Sequence, residues 1–176
     1  KMSRTVILFA DNVSVLAIIA IEDKIKESSF EAIKTLQKMN IELHILTGDN
    51  EATAAAVAKQ LGIKHYKSGV MPSDKADYIT ALQKKARSVA MVGDGINDSQ
   101  ALALADVSIA MGQGTDIAMD VAKMTIISSD LNKIPYAIYL SSKTVRTIKQ
   151  NLFWAFIYNI IGIPIAAGLL FPFNGF

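Results

Sequence analysis

Between Met91 and Leu102 the chain reads M-V-G-D-G-I-N-D-S-Q-A-L. Asp94 stands between two glycines, and Asn97 and Asp98 follow almost at once. Two carboxylates and an amide this close together suit a hard cation such as Mg²⁺, with phosphate as its partner. Two other places add to that chemistry. Thr47-Gly48-Asp49 offers a hydroxyl and N–H groups at a helix start, and Lys75 offers an ammonium on the first turn of another helix. Together they form a phosphoryl-transfer set, with donors and a cation for the phosphate oxygens and carboxylates for Mg²⁺. Taken singly, each has a plainer reading: an Asp-Gly turn with an Asx cap, a capping threonine, a solvated lysine. Order and spacing set the combination apart.

These residues need elements to position them. The apolar run Ser88–Val92 reads as a strand that delivers the backbone to Gly93, and a helix begins at Ser99. The glycines of the turn allow φ > 0 and let a ligand come close to the backbone. Upstream, Thr5–Phe9 and Val15–Ile21 are β-branched runs joined around Asp11-Asn12, which predicts a hairpin. A helix is expected over residues 28–39, with Phe30, Ile33, Leu36 and Met39 as its buried stripe. Ile41–Leu46 reads as a strand running into Thr47–Asn50. A helix over residues 51–61 follows, with Ala54, Val57, Ala58 and Leu61 at helical spacing. After a short strand at His65–Lys67, Pro72 opens a helix, because its missing N–H costs nothing at the first position. Ala76, Ile79, Leu82 and Ala86 form that helix's stripe. Val107–Met111 is a strand ending in Gly112-x-Gly114-Thr115-Asp116, and a short helix and a strand at Met124–Ile127 follow. Strands alternating with helices predict an α/β fold, a Rossmann-like parallel sheet covered on both faces. In such a sheet ligands bind beyond the carboxyl ends of the strands, where the three polar clusters would meet.

From Pro135 the character changes. Ile138, Val145, Ile148 and Leu152 mark one helical face, with Lys143, Arg146 and Lys149 elsewhere on the helix. Asn151–Phe171 then runs 21 residues without a charge. At 1.5 Å per residue that is roughly 31 Å, the thickness of a bilayer core. Trp154 and Tyr158 suit an interfacial end, and the cations before the span place that side in the cytoplasm. Gly162, Pro164 and Gly168 are poor choices for a soluble helix but tolerable in lipid. A formal net charge of +2 argues against a nucleic-acid partner, and the absence of cysteine excludes thiolate metal sites and a cysteine nucleophile. Lys1–Ala10 has no signal-peptide pattern. The chain opens on Lys1 and closes on Phe176 and is expected to be a piece of a longer protein.

The strings T-G-D-N at 47–50, P-x-x-K at Pro72–Lys75, G-D-G-I-N-D at 93–98 and G-x-G-T-D at 112–116 resemble the P-type ATPases of the haloacid dehalogenase superfamily. The resemblance covers nearly the whole chain. It implies that Asp94 holds Mg²⁺ and that Thr47, Gly48, Lys75 and Asn97 contact the phosphoryl group. It implies also that Asp98 supports the Mg²⁺ cluster and that Asp49 lies near nucleotide and metal, with ATP as substrate. Asp23 and Lys26 match a polar pair where the nucleotide domain returns to the phosphorylation domain. Two departures stand out. The family's phosphorylated Asp, in Asp-Lys-Thr-Gly-Thr, is absent, and Asp23-Lys24-Ile25-Lys26 does not replace it. Gln100 stands where most members have Pro, which implies a local effect on the turn.

Gln150–Asn159 and Ile163–Gly168 look like the penultimate membrane helix of the copper-exporting members. That likeness implies that Tyr158 and Asn159 contribute to an intramembrane Cu⁺ site. Side-chain chemistry alone does not say copper, since Cu⁺ prefers sulfur; Tyr as interface anchor and Asn as helix contact is the plainer reading. The resemblance implies the C-terminal part of a Cu⁺ or Ag⁺ export pump in a membrane. Residues 1–22 would end the nucleotide-binding domain, 23–133 would belong to the phosphorylation domain, 134–150 to a stalk helix and 151–171 to a transmembrane helix. Its partners would be the bilayer and the rest of the pump. A soluble haloacid dehalogenase-like phosphatase, or an inactive fragment serving as a binding module, are the alternatives.

Overall fold

The computed structural model describes residues 5–11, 13–21, 24–85, 87–93, 96–112, 120–168 and 175. The chain divides into two compact units, Lys1–Lys133 and Ile134–Phe176.

The first unit opens with an antiparallel hairpin, β1 (Thr5–Ala10) and β2 (Val15–Ile21), in which Thr5 faces Ile21 and Phe9 faces Ala17. Its turn is held by the Asp11 carboxylate, which accepts the N–H groups of Val13 (2.8 Å) and Ser14 (2.6 Å). These bonds, that to Val13 first, keep the Asp11 carboxyl below the usual carboxylate range. Helix α1 (Glu27–Lys38) follows, but its buried side is Ser29, Ala32 and Leu36. Phe30 and Met39 of the expected stripe are exposed. Asn40 leaves the helix at φ 59°, and the Ile41 N–H closes on the Leu36 carbonyl (3.2 Å). That bond removes Ile41 from any strand, and β3 is only His44–Leu46.

Asn50 caps α2 (Glu51–Leu61) by accepting the Thr53 N–H (3.0 Å), and Gly62 ends it in the left-handed conformation. β4 (His65–Lys67) pairs in parallel with β3. Pro72 begins α3 (Pro72–Gln83), which buries Ala76 and Ile79; Ala86 lies outside the described residues. β5 (Ala90–Gly93), β6 (Val107–Met111) and β7 (Met124–Ile126) form a parallel three-stranded ladder in that order. A 3₁₀ turn, Ile96–Asp98, leads into α4 (Ser99–Leu104). The parallel α/β architecture is therefore present. The single expected sheet is hydrogen-bonded among the described residues as two ladders, β3–β4 and β5–β6–β7. Ile79, Ala101 and Ala105 form a core cluster with Val89 and Met91 packed on it. Ser108, fully buried, spends its hydroxyl on the Lys123 N–H (2.9 Å).

The second unit is dominated by α5 (Lys133–Ala166), one helix of 34 residues with Pro164 inside it. Leu152, Phe153, Trp154, Phe156, Ile160, Ile161 and Ile163 are all exposed along it. Among the described residues no helix is long and apolar enough to cross a membrane. Residues 169–171 of the expected span lie outside them.

Candidate functional site

Lys75 and Asp98 are distant in sequence and meet in space. The Lys75 ammonium donates to Asp98 Oδ1 at 2.7 Å, and each side chain is only 13% exposed. The first turn of α3 fixes Lys75. Asp74 accepts the N–H of Met71 (3.0 Å), and the Lys75 N–H closes on the Met71 carbonyl (3.2 Å). Asp98 sits where the 3₁₀ turn becomes α4, and its side chain folds back over the end of β5. A Cβ on Gly93 would lie 2.5 Å from Asp98 Oδ2 and 2.8 Å from its Cβ. Gly93 is therefore required for close approach of a neighbouring carboxylate. Its φ is not positive, so close approach rather than a left-handed backbone is what requires glycine here. Gly95 and Asp94, the expected Mg²⁺ ligand, lie outside the described residues, as do Asp23 and Gly114–Asp116.

The Thr47 loop is tied to the same helix start. The Thr47 N–H donates to the Lys67 carbonyl (3.1 Å), and the Val70 N–H donates to the Thr47 carbonyl (3.0 Å). Gly69 adds a bond from its N–H to the Asp49 carbonyl (2.8 Å), from a left-handed backbone at φ 59° that glycine tolerates. Val70 directly precedes Met71, the residue before α3. The end of β3 is thus stitched to the segment that launches Lys75. Within the loop, Thr47 Oγ1 donates to Asp49 Oδ2 (2.8 Å) and accepts the Asp49 N–H (3.1 Å). Glu51, at the start of α2, accepts from Ser68 Oγ and from Tyr66 Oη (3.0 Å). Those hydroxyls, Ser68 first, hold its carboxyl below the usual range and fix α2 against β4.

The structure therefore places the sequence-predicted residues in two hydrogen-bonded groups, Thr47 with Asp49 and Lys75 with Asp98, joined through the backbone from Thr47 to Val70. Gly48, Asp49 and Asn97 are exposed beside them. Lys26 reaches Ser129 Oγ (3.2 Å). The arrangement leaves donors of the Lys75 ammonium beyond the one spent on Asp98, since an ammonium carries three. An ammonium beside carboxylates and a hydroxyl suits phosphate oxygens on the cation and a hard metal ion on the carboxylates. On α5, Tyr158 is 77% exposed, and the Asn159 amide donates to the Ala155 carbonyl of its own helix (3.0 Å). What spacing alone did not reveal is the dependence of Asp98 on Gly93; the signal available was a glycine at a strand end five residues before a carboxylate.

Residues 3–106 match the family model of the haloacid dehalogenase-like hydrolases. A copper-exporting P-type ATPase of Staphylococcus haemolyticus is 55% identical over 169 residues, 96% of this chain and 21% of the relative. A probable copper-transporting ATPase of Synechocystis is 51% identical over 175 residues, 99% of this chain and 24% of the relative. The crystal structure of a zinc-transporting PIB-type ATPase in the E2.Pi state matches with a TM-score of 0.83 at 37% identity, over 94% of this chain and 27% of that one. The chain thus spans under a quarter of the length of these curated relatives. The family match covers more than half of the chain and includes Thr47, Lys75, Gly93 and Asp98: this chain belongs to the haloacid dehalogenase-like hydrolases.

Proposed function

We propose that the chain is the C-terminal part of an ATP-driven export pump for Cu⁺ or Ag⁺, a P-type ATPase. The carrying observation is the buried Lys75–Asp98 pair at the mouth of β5, stitched to the Thr47 loop. In this reading residues 23–133 belong to the phosphorylation domain on the cytoplasmic side. Lys75 and the Thr47 hydroxyl hold oxygens of the transferring phosphoryl group, with Gly48 and Asn97 beside them. Asp98 keeps the ammonium aimed, and Asp94 and Asp98 supply the carboxylate side of the Mg²⁺ site. Mg²⁺, when bound, draws charge from the transferring group. Asp49 lies toward nucleotide. The acceptor Asp belongs to a part of the pump outside this sequence.

Residues 1–22 end the nucleotide-binding domain. Leu8, Phe9, Leu16 and Ile18 are exposed on the hairpin, as expected of strands whose sheet continues elsewhere. Residues 134–150 are the stalk, and 151–171 enter the bilayer. A helix that exposes large apolar side chains on all sides fits lipid or other helices better than water. Tyr158 and Asn159 then contribute to the path of the transported Cu⁺. In the intact pump, Asp94→Asn should abolish Mg²⁺-dependent phosphorylation, and Lys75→Ala should cut turnover by about a hundredfold or more. Tyr158→Phe and Asn159→Ala should lower Cu⁺-stimulated activity yet spare phosphorylation from inorganic phosphate. Normal phosphorylation of the Asp94→Asn pump would overturn the Mg²⁺ assignment.

A further inference from the structure

The chain contains two histidines, and the fold sets them side by side. His44 and His65 are register partners across the parallel β3–β4 ladder. Their rings stack at 4.7 Å with 18° between planes. Glu42, just before β3, brings its carboxylate onto the same side. Its Oε1 is 3.0 Å from His44 Nε2 and 3.5 Å from His65 Nε2. All three candidate ligand atoms fall within 4.8 Å of one another. We propose that Glu42, His44 and His65 form a binding site for a borderline divalent metal ion of the Zn²⁺ type, separate from the phosphoryl site.

The donor set fits that class. Imidazole and carboxylate suit Zn²⁺, whereas Cu⁺ favours sulfur and Mg²⁺ favours oxygen alone. Ligands on a tetrahedral Zn²⁺ lie roughly 3.3–3.5 Å apart, given metal–ligand distances of about 2.0–2.2 Å. Two of the three separations are already near that value, and the third lies within 4.8 Å. Three protein ligands leave a fourth position for water. The opposite ring nitrogen of His44 is held by Tyr78 Oη at 2.9 Å, the partner that orients a metal-binding imidazole. Arg87 occupies the other oxygen of Glu42 and leaves Oε1 to the histidines. Its charge opposes a bound cation, which gives the site a tunable neighbour. Glu42 and His65 also line an open groove with Gln37, Ile41 and Gly62, so a hydrated ion can reach them. A bound ion would clip β3 to β4 just before Thr47 and Lys67, whose backbones anchor the phosphoryl loop.

The test is a Zn²⁺ titration of the full chain in detergent micelles with Mg²⁺ in excess. It is read by the ring-proton resonances of the two histidines and by competition with a chromophoric chelator. One ion per chain should bind, and both ring signals should move together. His65→Ala and Glu42→Gln should each weaken binding at least about tenfold, and Tyr78→Phe by about tenfold. Arg87→Gln should strengthen it. Circular dichroism of each variant confirms that the fold persists, and His65 is exposed enough for its loss to be tolerated. Ring signals that ignore Zn²⁺ would overturn the proposal. So would stoichiometric binding undiminished in both His65→Ala and Glu42→Gln.

Discussion

Among the described glycines, Gly93 is the one whose added Cβ would meet a neighbour within 3 Å. Gly93 gives Asp98 the space to lie over the end of β5, and Asp98 in turn holds Lys75. A methyl group there would overlap the Asp98 side chain from its Cβ to its carboxylate, which must shift. Gly93→Ala is therefore expected to lower stability by about 1–3 kcal/mol, the usual range for overpacking. Urea unfolding of the chain in micelles measures it. Asp98→Ala in the Gly93→Ala background removes the obstructed group, so the two changes should be less than additive. Additive losses would mean that Asp98 finds room elsewhere. The same logic separates Asn159 from Tyr158. The Asn159 amide nitrogen donates to the Ala155 carbonyl of its own helix, whereas Tyr158 is largely exposed. A cation would take the amide oxygen of Asn159, which that N–H bond does not use.

At the scale of elements, ends matter more than middles. Asp106 precedes β6 and accepts the N–H of Val89, which leads into β5 (2.8 Å). That bond, with a smaller one from Gln83, holds the Asp106 carboxyl below its ordinary value of 3.8. Because the folded value is depressed, its contribution is present above the unfolded value and fades as pH falls through the folded one. Asp106→Asn keeps an oxygen acceptor but does not titrate, so the acid limb of stability against pH should flatten below about pH 4. Thermal midpoints across that range check it, and coincident limbs for both chains would count against the bond. Such end effects also mark where sequence stops being legible. Pro72, Asn50 and Gly62 carry their signals in residue type, and α2 and α3 stand where their caps put them. In α1 the apolar spacing pointed to Phe30, but the close-packed side is Ser29 and Ala32, because neighbouring elements decide which face is inward. β3 begins late because Ile41 serves the end of α1. The candidate site was legible as residue types, whereas its pairing was not. Lys75–Asp98 and His44–His65 depend on which strand and helix lie side by side, and no local pattern encodes that.

Taken whole, the chain carries the residues proposed to hold phosphate without the Asp-Lys-Thr-Gly-Thr acceptor string. A covalent intermediate needs a carboxylate nucleophile placed opposite the cationic side of the site. Incubation of the chain with γ-labelled ATP and Mg²⁺ should therefore leave no acid-stable label. Label that survives acid and is released by hydroxylamine would point to an acceptor among the residues present. The unit built on α5 has another consequence. From Lys133 the helix runs unbroken to Pro164, and Ser142, Thr144 and Thr147 turn their hydroxyls back onto its own carbonyls. At 1.5 Å per residue it is about 50 Å long, so a tilt of about 10° at one end sweeps the other through about 9 Å. Such a rod works as a lever: the same tilt displaces Tyr158, about 38 Å from Lys133, by about 6.5 Å.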